Sequence, residues 1–174
     1  MLFTTLRDAI YTWLAPLVAP APVVWGHQNN PRLVKPYVVA VITPARAVGQ
    51  DYVSPPDANG AATILGNREF TVMLQYVGAG GYDALERVRT SLEMPTVLQA
   101  LHAADIATVR VTDMQDISAL ADTRYEDRYM LDATMRVEHA CTDAVGLIET
   151  VLVDTYYTNG ISTLAHDLIT ITLN

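Results

Sequence analysis

The sequence has 174 residues, which is enough for one domain with a substantial hydrophobic core. Charged residues make up 17%, below the roughly 25% of an average soluble domain, which indicates either a surface covered by neighbouring subunits or a compact monomer. The net charge of −8 disfavours direct binding to nucleic-acid phosphates, and a single cysteine, Cys141, excludes an internal disulfide and a multi-cysteine zinc site.

The N-terminal segment combines helical periodicity with prolines. Apolar residues recur every three or four positions from Leu2 to Leu17, which predicts an amphipathic helix over residues 3–15. Pro16 is expected to end this helix. The prolines, together with Asp8, also disfavour a signal peptide and a membrane-spanning helix, so we expect a protein that is neither exported nor inserted.

The next segments predict strands separated by turns. Residues 23–26 predict a short strand, residues 28–31 a polar turn, and residues 37–42 a strand that is buried on both sides. Residues 45–67 contain several glycines and prolines and predict a long hairpin-like excursion, with a return strand over 61–65. An excursion of this length is usually functional or mobile.

Residues 68–77 alternate between apolar and polar side chains, which predicts a half-buried strand. The glycines of residues 78–81 then lead into a helix that reaches Leu92, and Pro95 begins a second, shorter helix over 96–103. Further strands are predicted over 106–113, 116–121, 125–139 and 169–173. Residues 147–157 predict a strand, with a helix as the alternative.

The order of these elements is helix, strands, helix, strands, which is typical of an α+β fold. We therefore predict a single domain over residues 1–174. It contains a mostly antiparallel sheet flanked by an N-terminal helix and a central helix, with the excursion at 45–67.

No catalytic, cofactor-binding or metal site is predicted. The four histidines are scattered, and no serine lies in a nucleophile elbow. Asp83 occupies the position at which a phosphate-binding turn needs a glycine, so the turn at residues 78–81 is interpreted as structural. Glu126 and Asp127 would point to opposite faces of an extended strand, so ion pairs across strands or subunits are favoured over acid–base catalysis.

Several short motifs resemble, both in residues and in their order along the chain, those of the phage neck terminator (tail terminator) proteins. They span roughly residues 3–155, and residues 158–174 lie beyond the resemblance. The motifs are Val24-Trp25, Gln28-Asn29-Asn30-Pro31, Pro36-Tyr37, Arg68-Glu69-Phe70-Thr71-Val72 before a tyrosine-bearing helix, and Tyr125-Glu126-Asp127-Arg128 before Leu131-Asp132.

This resemblance implies a structural protein of the virion neck, assembled in the host cytoplasm, that needs no cofactor and is not an enzyme. Such a subunit forms a ring, expected to be hexameric, on the last ring of the tail tube. The ring stops tube polymerisation and offers a surface to head–tail connector or adaptor proteins, with the sheath as a further partner. DNA would pass through its acidic lumen without specific binding.

The residues expected at contacts between subunits or with partners are Gln28, Asn29, Asn30, Arg68, Arg124, Glu126, Asp127 and Arg128. The expected core anchors are Trp13, Trp25, Tyr37 and Phe70. Two alternatives remain open at this stage. One is another neck component, such as a head-completion or adaptor subunit. The other is a monomeric α+β domain that binds a ligand between helix and sheet.

Overall fold

The computed structural model describes residues 3–27, 33–121, 124–146, 150–158 and 163–172. Two compact units make up the chain: a core unit of Met1–Tyr52 and Leu65–Ala140, and a second unit of Val53–Ile64 and Cys141–Asn174. The single domain over 1–174 stays a prediction. Among the described residues, no helix is both long and apolar enough to cross a membrane.

The described part of the core unit contains three helices: α1 (Phe3–Val18), α2 (Gly81–Ser91) and α3 (Pro95–Ala103). Helix α1 is longer than predicted, because Pro16 lies inside its last turn and does not end it. A proline at this position removes one backbone donor, whereas the last turns of α1 bury Trp13, Leu14 and Val18. Packing therefore outweighs the local effect of the proline.

The fold is α+β, as predicted, and its main sheet is mostly antiparallel. The strands are β1 (Val23–Trp25), β2 (Tyr37–Ile42), β3 (Arg46–Val53), β4 (Ala61–Val77), β5 (Ile106–Val111), β6 (Gln115–Asp116), β7 (Ala119–Ala121), β8 (Arg124–Glu126), β9 (Arg128–Ala144), β10 (Thr150–Thr158) and β11 (Thr163–Thr172). In the main sheet the strand order is β1-β2-β4-β9-β5, with β3 paired to β4 and β6 paired to β9. Strands β1 and β2 pair in parallel, while β2–β4, β5–β9 and β6–β9 are antiparallel.

The helices cover one face of this sheet, and the hydrophobic core lies between them and the strands. The alternation predicted for β4 is confirmed, since every second side chain from Phe70 to Tyr76 is buried. Other core side chains include Ile10 and Leu14 from α1, Leu85 from α2 and Leu131 from β9, all fully buried.

The opposite face of the sheet is less open to water than its polar residues suggest. Thr134 of β9 is buried, and its hydroxyl lies 3.5 Å from that of Thr71 on β4. Strand β2 also differs from the prediction of burial on both sides: Val38 and Ala40 are buried, whereas Val39 on the other face is half-buried. This second face is therefore partly buried.

The predicted hairpin excursion at 45–67 is confirmed, but it consists mainly of strand. Strand β3 occupies 46–53, and the return strand starts at Ala61 as predicted and continues without a break to Val77. Asp57 holds the connection between β3 and β4: one of its carboxylate oxygens accepts hydrogen bonds from the amides of Ala61 at 2.9 Å and Asn59 at 2.8 Å. These bonds hold the pKa of Asp57 below its usual value.

The long strand predicted over 125–139 is interrupted at Asp127. The Asp127 carbonyl accepts a hydrogen bond from the amide of Gly78 at 2.9 Å, which continues the pairing of β4 with β9 by one residue. Residues before the break form β8, which pairs with β7 in a separate two-stranded hairpin. Residues after it form β9.

The second unit contains the antiparallel hairpin of β10 and β11, in register from Thr150↔Thr172 to Tyr157↔Ala165. The strand interpretation of residues 147–157 is confirmed from Thr150 onward, and the helical alternative is wrong. The predicted turn at Asn159-Gly160 lies outside the described residues. In the same unit, the amides of Val145 and Gly146 each donate to the Gly60 carbonyl at 3.0 Å.

Candidate subunit interface

The densest charge cluster of the sequence is organised around Glu126 at the end of β8. Glu126 is only 4% exposed, and its carboxylate forms ion pairs with Lys35 and Arg128. Arg128 Nε donates to Glu126 Oε2 at 2.7 Å. Lys35 first, and then Arg128, lower the pKa of Glu126 to about 2, so the carboxylate is charged at any physiological pH.

These pairs tie three separate pieces of chain together. Lys35 precedes β2, Glu126 ends β8 and Arg128 begins β9. Ser118 adds a further link, because its hydroxyl accepts a hydrogen bond from the Arg128 amide at 3.0 Å. The base of the β7–β8 hairpin is therefore fixed to the main sheet by charged and neutral hydrogen bonds.

A second charge cluster centres on Glu69, a buried residue of β4. Arg46 Nε of β3 donates to Glu69 Oε1 at 3.1 Å, and Arg136 Nη2 of β9 donates to Oε2 at 3.0 Å. Arg46 and then Arg136 hold the pKa of Glu69 below its usual value. One carboxylate thus joins three strands, an arrangement that the sequence prediction missed because it depends on strand order.

The contact residues predicted from the sequence fall into different environments. Arg68 is partly exposed and forms a two-point pair with Asp51, with N–O distances of 2.7 and 2.6 Å. Asp127 is exposed, whereas Glu126 is buried and paired with Lys35 and Arg128 of its own chain. The predicted contacts at Gln28, Asn29 and Asn30, and the Arg124 side chain, lie outside what the structure describes.

The predicted core anchors also differ among themselves. Trp13 and Phe70 belong to the buried core. Trp25 is half-buried against it, with the Arg7 guanidinium carbon 4.6 Å from the centre of its ring. Tyr37 is half-buried at the start of β2.

Helices α1 and α3 form an open apolar groove with a volume of about 380 Å³. Its walls come from both helices, and none of its lining residues is charged. The polar side chains of the lining are Thr12, whose hydroxyl donates to the Asp8 carbonyl, Thr96, and Trp13, whose indole N–H donates to Ser91. The lining residues are Ala9, Thr12, Trp13, Pro16, Leu17, Thr96, Val97, Ala100, Leu101 and Ala104.

Two pairs of large apolar side chains stand exposed on two-stranded hairpins. Leu120 of β7 lies directly opposite Tyr125 of β8, and these residues are 62% and 78% exposed. Val153 of β10 lies opposite Ile169 of β11, with exposures of 36% and 51%. Exposed apolar side chains that lie next to each other are typical of surfaces that contact another protein.

The turn at residues 78–81 has the structural role predicted for it. Gly78 and Gly80 adopt φ angles of 119° and 81°, which favour glycine, and Asp83 lies in the first turn of α2. Across the described ranges, no three His, Cys, Asp or Glu side chains are grouped so as to hold a metal ion. Cys141 is a free, exposed thiol.

Comparison with known protein families gives one match. Residues 4–161 match a family described as phage neck terminator protein. The match includes all three helices, the main sheet, both charge clusters and strand β10, while β11 lies beyond it. A search of curated proteins finds no match.

Proposed function

This chain belongs to the phage neck terminator protein family, and from that premise we propose that it forms a ring that closes the end of a tail tube. Its role in the phage neck is structural, and it acts with other head and tail proteins. In the proposal, the ring is hexameric, stops tube polymerisation and presents its other side to the head–tail connector or adaptor proteins.

The family match over residues 4–161 is the observation that carries the proposal. The charge distribution supports it. At least six of the eleven lysine and arginine residues form ion pairs with carboxylates of the same chain, while the net charge is −8. A surface with an acidic surplus repels DNA, which suits a passage through which DNA must slide.

Contacts between subunits are proposed to involve the exposed members of the predicted set. Asp127 is exposed, Arg68 and Arg128 are partly exposed, and the buried Glu126 would hold Arg128 in position. A ring uses two different patches on each subunit, so these residues would contact an unlike surface on the neighbouring subunit.

The proposal is tested by sizing the purified chain by light scattering, alone and with tail-tube protein, and by measuring tube lengths by electron microscopy. A ring-former gives closed oligomers, either free or on tube ends, and shortens the tubes in proportion to its concentration. Assembly onto head–tail connectors without any effect on tubes would instead identify a head-completion or adaptor subunit. A strict monomer beside which tubes grow to unlimited length would refute the ring.

The α1–α3 groove favours a second candidate function, that of a ligand-binding domain. A volume of about 380 Å³ lies within the range of small-molecule sites, and its apolar lining is typical of them. This candidate predicts that an apolar probe raises the melting temperature of a monomer, with no effect on tail tubes. The assembly assay and the melting assay therefore separate the two functions.

A further inference from the structure

The β7–β8 hairpin presents an apolar tip, the exposed cross-strand pair of Leu120 and Tyr125. The residue after Tyr125 is the buried Glu126, whose ion pairs with Lys35 and Arg128 tie the base of the hairpin to the main sheet. An apolar projection that is anchored at its base loses less conformational entropy on binding than a free segment does, which favours its use as a contact.

The groove between α1 and α3 matches this tip in chemistry. Its lining is uncharged and apolar, with alanines such as Ala100 leaving room for a side chain to enter. Thr12 Oγ1 donates to the Asp8 carbonyl at 2.8 Å, so it can accept a hydrogen bond from the phenol of a tyrosine, and Thr96 offers a second hydroxyl. The apolar ring and the polar end of a tyrosine both need partners when they are buried. Tyrosine is also among the residues that most often dominate interface energies.

We propose that Leu120 and Tyr125 of one subunit insert into the α1–α3 groove of the next subunit, an inference that rests on the proposed ring. A head-to-tail ring needs two patches that differ from each other and recur on every copy. The hairpin tip and the groove meet this requirement, because they share no residue and belong to the same core unit. The occupant of the groove is therefore the tip of a second copy of the chain.

Four variants of the full chain test the contact, each adding one negative charge. Ala100→Glu blocks the groove, and Ala103→Glu is its control, because Ala103 is an exposed residue of the same helix that does not line the groove. Tyr125→Glu blocks the tip, and Tyr52→Glu is its control at another exposed strand tyrosine. Each blocked variant is expected to weaken association at least about tenfold, the effect of losing one buried side chain, and each control less than about twofold.

Mixing the two blocked variants distinguishes a head-to-tail contact from a symmetric one. The Ala100→Glu chain keeps its tip and the Tyr125→Glu chain keeps its groove, so together they are expected to form one-to-one dimers that cannot close into rings. Neither variant should form these dimers alone. In addition, Tyr125→Phe should restore most of the association that Tyr125→Glu loses, because phenylalanine keeps the apolar aromatic side chain.

Cross-linking keeps the test decisive if a blocked variant does not fold. In a Cys141→Ser background, subunits with Tyr125→Cys are mixed with subunits with Ala100→Cys and treated with a short bifunctional maleimide. The expected product is a covalent pair of two different chains, and Ala103→Cys in place of Ala100→Cys should reduce its yield at least fivefold.

The outcomes separate this inference from the ring proposal. Normal rings from both Ala100→Glu and Tyr125→Glu would overturn the contact and leave the ring standing. The same holds if Ile169→Glu, on the other exposed hairpin, blocks assembly while Tyr125→Glu does not. If the wild-type chain never associates, alone or on tube ends, both the proposed ring and this contact are refuted.

Discussion

The buried hydrogen bond between Trp13 and Ser91 joins α1 to α2, and its removal gives a measurable loss of stability. Trp13 Nε1 donates to Ser91 Oγ at 2.9 Å, and Ser91 Oγ donates to the Val88 carbonyl at 2.7 Å. Ser91 is fully buried, and Trp13 is 7% exposed. In Ser91→Ala the indole N–H keeps no partner and no access to water, which costs about 1–3 kcal/mol.

For a chain of this length, a loss of about 2 kcal/mol lowers the melting temperature by roughly 4–8 °C. Urea denaturation followed by tryptophan fluorescence measures the loss directly, as a lower midpoint with an unchanged slope. Both tryptophans, Trp13 and Trp25, belong to the core unit, so the signal follows that unit. Thr90→Ala is the matched control, since Thr90 is exposed on the same helix and its loss should change stability by less than about 0.5 kcal/mol.

A double-mutant cycle decides whether the hydrogen bond is the cause. In a Trp13→Phe background the indole donor is absent, so Ser91→Ala should cost about 1 kcal/mol less than it does in the wild type. Equal losses in the two backgrounds would refute the reasoning, because they would assign the whole effect to the serine and its bond to Val88.

Three further predictions concern the core, the charge cluster and the hairpin turn. Leu74→Ala, at a fully buried position of β4, should lower the unfolding free energy by about 2–5 kcal/mol in urea titrations, and a loss below about 1 kcal/mol would contradict the packing. Glu126 has a pKa of about 2 against an ordinary value of 4.5, so its contribution to stability is complete above about pH 4.5 and disappears as pH falls through about 2. The difference in urea midpoint between the wild type and Glu126→Gln should therefore narrow over this range, whereas a constant difference would show that the charge is not responsible. Gly60→Ala should destabilise the second unit, because φ is +73° and a Cβ atom would lie 2.8 Å from the Gly146 backbone. Faster limited proteolysis within residues 141–146 would reveal this, and unchanged cleavage would count against the strained turn.

Most of the fold was predictable because its elements have clear local signals. The alternation from Phe70 to Tyr76 and the helical spacing around Leu85 and Val88 reflect burial on one face, and both predictions are confirmed. The errors arise where tertiary contacts override local preference. Pro16 stays helical because its turn packs on the core, and the strand predicted from residue 125 is divided because β8 pairs with β7 in a separate hairpin.

The candidate interface was less predictable, since charge alone does not show whether a residue is a partner of its own chain or of another. Glu126 and Asp127 are neighbours in sequence, yet one is buried in ion pairs and the other is exposed. An extended segment places Glu126 and Asp127 on opposite sides, but which of the two is buried depends on the position of Lys35, far away in sequence. The α1–α3 groove likewise needs the packing of two distant helices.

The internal ion pairs have a consequence for the attraction between the chain and DNA. Arg46 and Arg136 share the single carboxylate of Glu69, and Lys35 and Arg128 share that of Glu126, so each carboxylate offsets one of its two cations. If these clusters line the passage of the proposed ring, each presents one net positive charge to a phosphate backbone where its two cations alone would present two. The attraction between the passage and DNA, and the dependence of that attraction on ionic strength, are then weaker than the number of cations suggests.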